Sequence, residues 1–256
     1  MKKKIKGLLI DLDGVIYNDS TPIRGSVKTV QWLINQSIPF RFITNTTMKS
    51  RSTLQLKLNA MGISVSKEHI FSAAYAAAKF VKQNKGNGHL LMLEDAKTEF
   101  AGLADSTQPI DYVVVGDIGN MLSFDKLNDA FVHLINGAQL IAMQKNRFWL
   151  SDQGYKIDAG AFVALLEFAA NKEAILIGKP QKRFFQMALQ DLQLDINEVA
   201  MIGDDIESDI GGAKQVGLFN CLVKTGKFRE HDLIQSALQP DMVLNSIADL
   251  RECDFL

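Results

Sequence analysis

At 256 residues with 47% apolar and 22% charged positions, the chain has the composition of a globular protein with a sizeable buried core. Disordered, collagen-like and coiled-coil readings are excluded. Its 28 basic and 29 acidic residues leave a formal net charge of −1, so no basic surplus exists to displace counterions from a phosphate backbone, and no nucleic-acid partner is expected.

The chain opens on a basic cluster, Lys2, Lys3, Lys4 and Lys6, which reads as a solvated tail. The apolar stretch behind it is interrupted at once by Asp11 and Asp13, too early for a signal peptide or a membrane span, so no membrane partner is expected. Cys221 and Cys253 stand far apart, and His69, His89, His133 and His231 are scattered singly. No disulfide framework or zinc site is legible, and a reducing, cytoplasmic location is expected.

Short apolar runs recur at 6–10, 40–43, 90–93, 112–115, 140–143, 174–177, 199–202, 221–223 and 242–244. Between them lie segments with helical periodicity, such as Val27, Val30, Leu33 and Ile34, and Phe184, Phe185, Ala188, Leu189 and Leu192. Strands alternating with amphipathic helices predict an α/β fold with doubly wound parallel sheets. Clusters of aspartates follow only two of the runs, at Asp11 and Asp13 and at Asp204, Asp205 and Asp209; 83–172 has strands and helices of its own but no such aspartate cluster. This stretch is expected to be an inserted α/β domain, with 1–82 and 173–256 forming a Rossmann-like core.

Ligands of open parallel sheets bind beyond the carboxyl ends of the strands, and four motifs fall at such ends. In Asp11-Leu12-Asp13-Gly14-Val15, two carboxylates leave a strand at a glycine turn, so that one can attack while the other shuttles a proton. Alone, this pattern is equally a turn or a helix cap. An EF-hand loop requires its glycine at position six, whereas Gly14 stands at position four. Thr44-Asn45 offers a hydroxyl and an amide that alone read as a helix cap, and Gly178-Lys179-Pro180 places an ammonium where a run ends. Gly203-Asp204-Asp205 with Asp209 gathers three carboxylates, which repel one another unless a hard cation such as Mg²⁺ sits among them. Gly226-Lys227 lacks the upstream glycine of a phosphate-binding loop, and no dinucleotide, zinc-protease or serine-hydrolase motif is present.

Taken in order, the four motifs resemble those of the haloacid dehalogenase superfamily of aspartate-nucleophile phosphatases, over essentially the whole chain. The insertion between Thr44 and Lys179 resembles a C2-type cap, the mark of subfamily IIA with its nucleotide, phosphoglycolate and 4-nitrophenyl phosphatases. The stretches at 111–117, 178–185 and 203–210 look most like the branch holding phospholysine phosphohistidine inorganic pyrophosphate phosphatase and its sister proteins. The resemblance implies that Asp11 is the nucleophile and Asp13 the acid and base. It also implies that the phosphoryl group is held by Asp11, Leu12, Asp13, Thr44, Asn45 and Lys179, and that Mg²⁺ is bound by Asp11, the Asp13 carbonyl and Asp204, with Asp209 as a direct or outer partner. Asp205 is left to orient Lys179 or a metal-bound water.

An acid at Asp13 fits a phosphatase or phosphomutase within that superfamily. The expected function is Mg²⁺-dependent hydrolysis of a small phosphorylated substrate through an aspartyl-phosphate. Phosphoryl transfer to a second substrate, cleavage of P–N or P–O–P bonds, and a non-enzymatic binding role are the alternatives. The cap is expected to set specificity, through residues such as those of the 117–120 loop, and to pair in a homodimer.

Overall fold

A computed structural model describes residues 5–151 and 154–255; the basic tail at 2–4 lies outside them. The chain divides into two compact units: one comprises the residues up to Thr44, Leu54–Phe71 and those from Lys179 on, the other Asn45–Thr53 and Ser72–Gly178.

The first unit is built on a six-stranded sheet in the order Met242–Leu244, Phe219–Val223, Val199–Gly203, Gly7–Asp11, Phe40–Thr44 and Ile70–Ser72. The first five strands are parallel to one another. All five residues of Gly7–Asp11 are buried, as expected of a central strand covered on both faces. Leu8 and Ile10 point to one side, where they join Phe42, Ile202 and Val223 and the helical residues Val30, Leu33, Leu54 and Leu58 in one core. On helix Lys182–Leu192, Phe184, Phe185, Ala188, Leu189 and Leu192 are all buried, as their spacing predicts, and the Phe184 ring meets Phe71 edge-on at 5.3 Å. Helix Ser26–Asn35 buries Val30 and Leu33, while Ile34 is 36% exposed, at the edge of the predicted stripe.

The second unit carries a four-stranded parallel sheet ordered Ile175–Leu176, Gln139–Ala142, Tyr112–Val115 and Gly88–Leu91. Helices Phe124–Ile135 and Ala159–Ala170 bury Ala130, Leu134, Val163 and Leu166 with its strands. An antiparallel strand pair, Phe148–Ser151 and Gly154–Ile157, lies outside the predicted runs.

Two segments that composition places in the core sit with this second unit instead. The run at 174–177 supplies Ile175–Leu176, which pairs with Gln139–Ala142. Helix Ala73–Gln83, whose alanine stripe and Val81 are buried, is also grouped there. The edge inferred from missing carboxylates therefore differs from the edge set by packing, which follows strand pairing and buried area rather than charge.

Candidate active site

The register of the parallel sheet brings distant sequence motifs to one edge. Ile10 is level with Ile202 and Asp11 with Ile43. Asp11, Thr44 and Asp204 thus leave the carboxyl ends of three adjacent strands. Lys179 arrives differently: it follows the short strand Ile175–Leu176 of the second sheet, opens the return of the chain into the first unit, and is buried.

Lys179 Nζ donates to Asp11 Oδ1 at 2.7 Å and to Asp209 Oδ1 at 2.7 Å. Burial works against its charge, but Asp11 and Asp209 outweigh that and raise its pKa. The ammonium is therefore a fixed cation between two carboxylates. Asp209 is fully buried in the turn Ile206–Gly211, and its other oxygen accepts the Asp205 N–H at 3.2 Å.

Asp11, Asp204 and Asp209 each offer an oxygen within 4.8 Å of the others. Burial, followed by the charge of Asp11, raises the Asp204 carboxyl above the usual range. The Lys227 N–H donates to Asp204 Oδ2 at 2.6 Å, whereas Oδ1 is buried without a protein partner. An orphaned carboxylate oxygen among three close acids is costly unless a cation satisfies it. The donor set, all hard oxygen, suits Mg²⁺.

The floor beneath Asp204 is made of glycine. Gly14 has φ +84° and Gly226 φ +59°, and a Cβ on either would run into the Asp204 carboxylate. Only glycine accepts both that conformation and that approach without strain.

The remaining residues are placed as follows. Asp13 leaves the Gly7–Asp11 strand two residues on, in a turn closed by Gly14 N–H to the Tyr17 carbonyl at 2.8 Å. Its side chain keeps accessible area, yet lost water and, after that, neighbouring Asp11 push its pKa upward. Leu12 is buried. Thr44 is buried at its strand end. Asn45 begins the stretch grouped with the second unit, where its carboxamide lies against Gly178. Asp205 Oδ1 accepts the N–H groups of Glu207 and Ser208 at 3.0 Å each, and its Oδ2 meets Lys227 Nζ at 3.2 Å. Burial opposes its ionisation, but the Ser208 N–H and Lys227 lower its pKa overall. Asp209 holds Lys179 directly, and the Asp205 N–H holds Asp209. In the second unit, Asp117 accepts the Gly119 N–H at 2.7 Å and donates its own N–H to Thr47 Oγ1 at 2.9 Å.

Sequence reasoning missed the turn Thr225-Gly226-Lys227. By sequence alone Gly226-Lys227 reads only as an incomplete phosphate loop, and its contact with Asp204 depends on strand register that no local pattern reveals.

A haloacid dehalogenase-like hydrolase model matches residues 8–103, and a second model of the same superfamily matches 176–250. The chain is 34% identical to phospholysine phosphohistidine inorganic pyrophosphate phosphatase of Danio rerio, covering 96% of this chain and 93% of that one. It is 35% identical to haloacid dehalogenase-like hydrolase domain-containing protein 2 of Mus musculus, over 90% and 88% of the respective chains. Among solved structures, p-nitrophenyl phosphatase from Archaeoglobus fulgidus superposes with a TM-score of 0.90 at 29% identity, covering 97% of this chain and 99% of that one. With the ordered motifs gathered at one sheet edge and full-length relatives above 30% identity, the chain belongs to the haloacid dehalogenase-like hydrolase family.

Proposed function

We propose that the protein is a Mg²⁺-dependent phosphatase that hydrolyses a small phosphorylated substrate through an acyl phosphate formed on Asp11. The observation that carries this reading is the bridging of Asp11 and Asp209 by the buried Lys179 ammonium beside the orphaned Asp204 oxygen. A carboxylate held between a fixed cation and a cation-ready acid cluster suits nucleophilic attack on an anion, because phosphoryl transfer requires positioning and charge neutralisation above all.

In the first step an Asp11 carboxylate oxygen bonds to phosphorus as the bond to the leaving oxygen breaks, and Asp13 donates a proton to that oxygen. In the second, Asp13 takes a proton from water, whose oxygen bonds to phosphorus and releases Asp11 and inorganic phosphate. The raised pKa of Asp13 suits alternation between acid and base. Lys179, with Thr44, Asn45 and the backbone at Leu12, holds the phosphoryl oxygens. Mg²⁺ on Asp11 and Asp204, with Asp209 beside them, would supply charge neutralisation and orientation of the phosphoryl group.

We assign the inserted segment the role of a cap that selects substrate and pairs two copies, on the strength of its position in the sequence. Cytoplasmic residence is supported by the two free cysteines. Among the described residues no helix is long and apolar enough to cross a membrane.

A second reading, hydrolysis of P–N or P–O–P bonds at the same site, is favoured by the named activity of the Danio rerio relative. Release of inorganic phosphate from 4-nitrophenyl phosphate, sugar phosphates, nucleotides, phosphohistidine, phospholysine and pyrophosphate separates the two. Absence of phosphate release from every ester, with Mg²⁺ present, would overturn the phosphomonoesterase reading.

A further inference from the structure

We propose that the turn Thr225-Gly226-Lys227 is a positioning element that fixes which oxygen of Asp204 faces the metal, and that it does so through main-chain groups and the Thr225 hydroxyl rather than the lysine side chain. The inference rests on the metal-site reading above and goes beyond it. It concerns a segment outside the four motifs.

Strand Phe219–Val223 lies beside Val199–Gly203 with Gly203 level with Leu222. The turn that follows it therefore rises next to the loop that follows Gly203. Three contacts then join this turn to the acidic loops. Thr225 Oγ1 donates to the Gly14 carbonyl at 2.5 Å. The Lys227 N–H donates to Asp204 Oδ2 at 2.6 Å. Gly226 packs its Cα against Gly14 and the Asp204 carboxylate so closely that no Cβ fits.

The Asp204 carboxylate has two oxygens and two environments. Oδ2 is engaged by a neutral amide donor, and Oδ1 is buried without a protein partner. An amide tied to one oxygen removes the carboxylate's freedom to rotate and to bind a cation through both oxygens, leaving Oδ1 as the single ligand. Partners of this kind orient metal ligands, and their loss typically costs 10–100-fold in metal affinity. The Lys227 side chain, by contrast, is 70% exposed and reaches Asp205 rather than Asp204. An exposed pair of this kind contributes little.

Mn²⁺, a hard divalent ion with similar oxygen preferences, is the probe; loss of its free-ion electron paramagnetic resonance signal reports binding without substrate or turnover. Lys227→Ala retains the N–H and Lys227→Pro removes it. Lys227→Ala should bind Mn²⁺ within about 3-fold of wild type, and Lys227→Pro roughly 10–100-fold more weakly. Thr225→Val should weaken binding and Thr225→Ser should restore it, a pair that serves if the proline variant fails to fold by circular dichroism. In turnover, Thr225→Val should recover kcat at high Mg²⁺ while Thr225→Ser stays at wild-type values throughout.

Wild-type affinity in folded Lys227→Pro, or in folded Thr225→Val, would overturn the proposal, as would an equal loss in Lys227→Ala and Lys227→Pro. Asp204→Asn separates the two levels of the argument. Unchanged Mn²⁺ binding in that variant would remove the metal site itself, whereas loss there with no effect at 225 and 227 would remove only the turn's role.

Discussion

Lys179 and Asp11, 168 positions apart in the chain, meet at 2.7 Å, and the same ammonium reaches Asp209 at an equal distance. One buried cation thus compensates two buried acids, and its removal has two consequences. Lys179→Ala should lower kcat by about 10²–10³-fold, the range for loss of one fixed charge-stabilising donor. It should also destabilise the fold by about 3–5 kcal/mol, because uncompensated buried carboxylates remain. Lys179→Arg should restore activity incompletely, since a planar fork does not occupy the place of a compact ammonium. Steady-state kinetics with urea unfolding measure both effects; an alanine variant with unchanged kinetics would return Lys179 to a structural role.

Chelation should abolish turnover and Mg²⁺ should restore it, because the close oxygens of Asp11, Asp204 and Asp209 otherwise repel one another beside an anionic substrate. Ca²⁺ should substitute poorly, as it favours six to eight ligands in a looser shell. Asp204→Ala should lose metal dependence and activity together. Full activity in excess chelator contradicts the metal assignment.

Gly14→Ala tests the glycine floor. Its φ of +84° is unfavourable for an L-residue, and the new methyl meets the Asp204 carboxylate. The backbone alone should cost about 1–3 kcal/mol, and displacement of Asp204 should weaken Mg²⁺ activation. Thermal unfolding and the Mg²⁺ concentration for half-maximal rate are the measurements, and wild-type values in both would show that the floor can yield.

The acidic edge of this site was legible because Asp11 and Asp204 each end an apolar run, and an apolar run followed by carboxylates marks a buried strand that opens on a ligand crevice. The roles of Asp205 and Asp209 were not. Both lie in one short acidic stretch, and only the turn Ile206–Gly211 decides that Asp205 caps it while Asp209 turns in to Lys179. Strand Ile70–Ser72 has only two apolar residues, Ile70 and Phe71, too few to stand out as a run. The run at 174–177 forms a strand as its composition predicts, but its sheet is chosen by long-range pairing with Gln139–Ala142. The clamp from Thr225 to Gly14 spans 211 positions and depends on register alone.

His89 and His133 in the second unit have ring centroids 4.8 Å apart. Burial first, and then His133, lowers the His89 pKa from its ordinary 6.5, with Asp129 opposing and Lys97 reinforcing. The unfolded chain therefore takes up this proton before the folded one does, and stability falls as pH drops below 6.5 toward the depressed native value. His89→Gln should reduce the loss in urea midpoint between pH 7.5 and 5.5. An equal loss in wild type and variant would assign the acid sensitivity elsewhere.

The central claim is that Asp11 and Asp13 perform different steps. Asp11→Asn should abolish turnover, because the attacking oxygen is gone. Asp13→Asn should slow hydrolysis by about 10²–10⁴-fold, the range for a lost general acid and base, while 4-nitrophenolate, a good leaving group, still departs. The direct measurement is mass spectrometry of acid-quenched Asp13→Asn after mixing with 4-nitrophenyl phosphate. The account predicts a burst of 4-nitrophenol no larger than the enzyme concentration and phosphate on the peptide containing Asp11; phosphate on a serine, histidine or lysine, or wild-type rates in both variants, would contradict it.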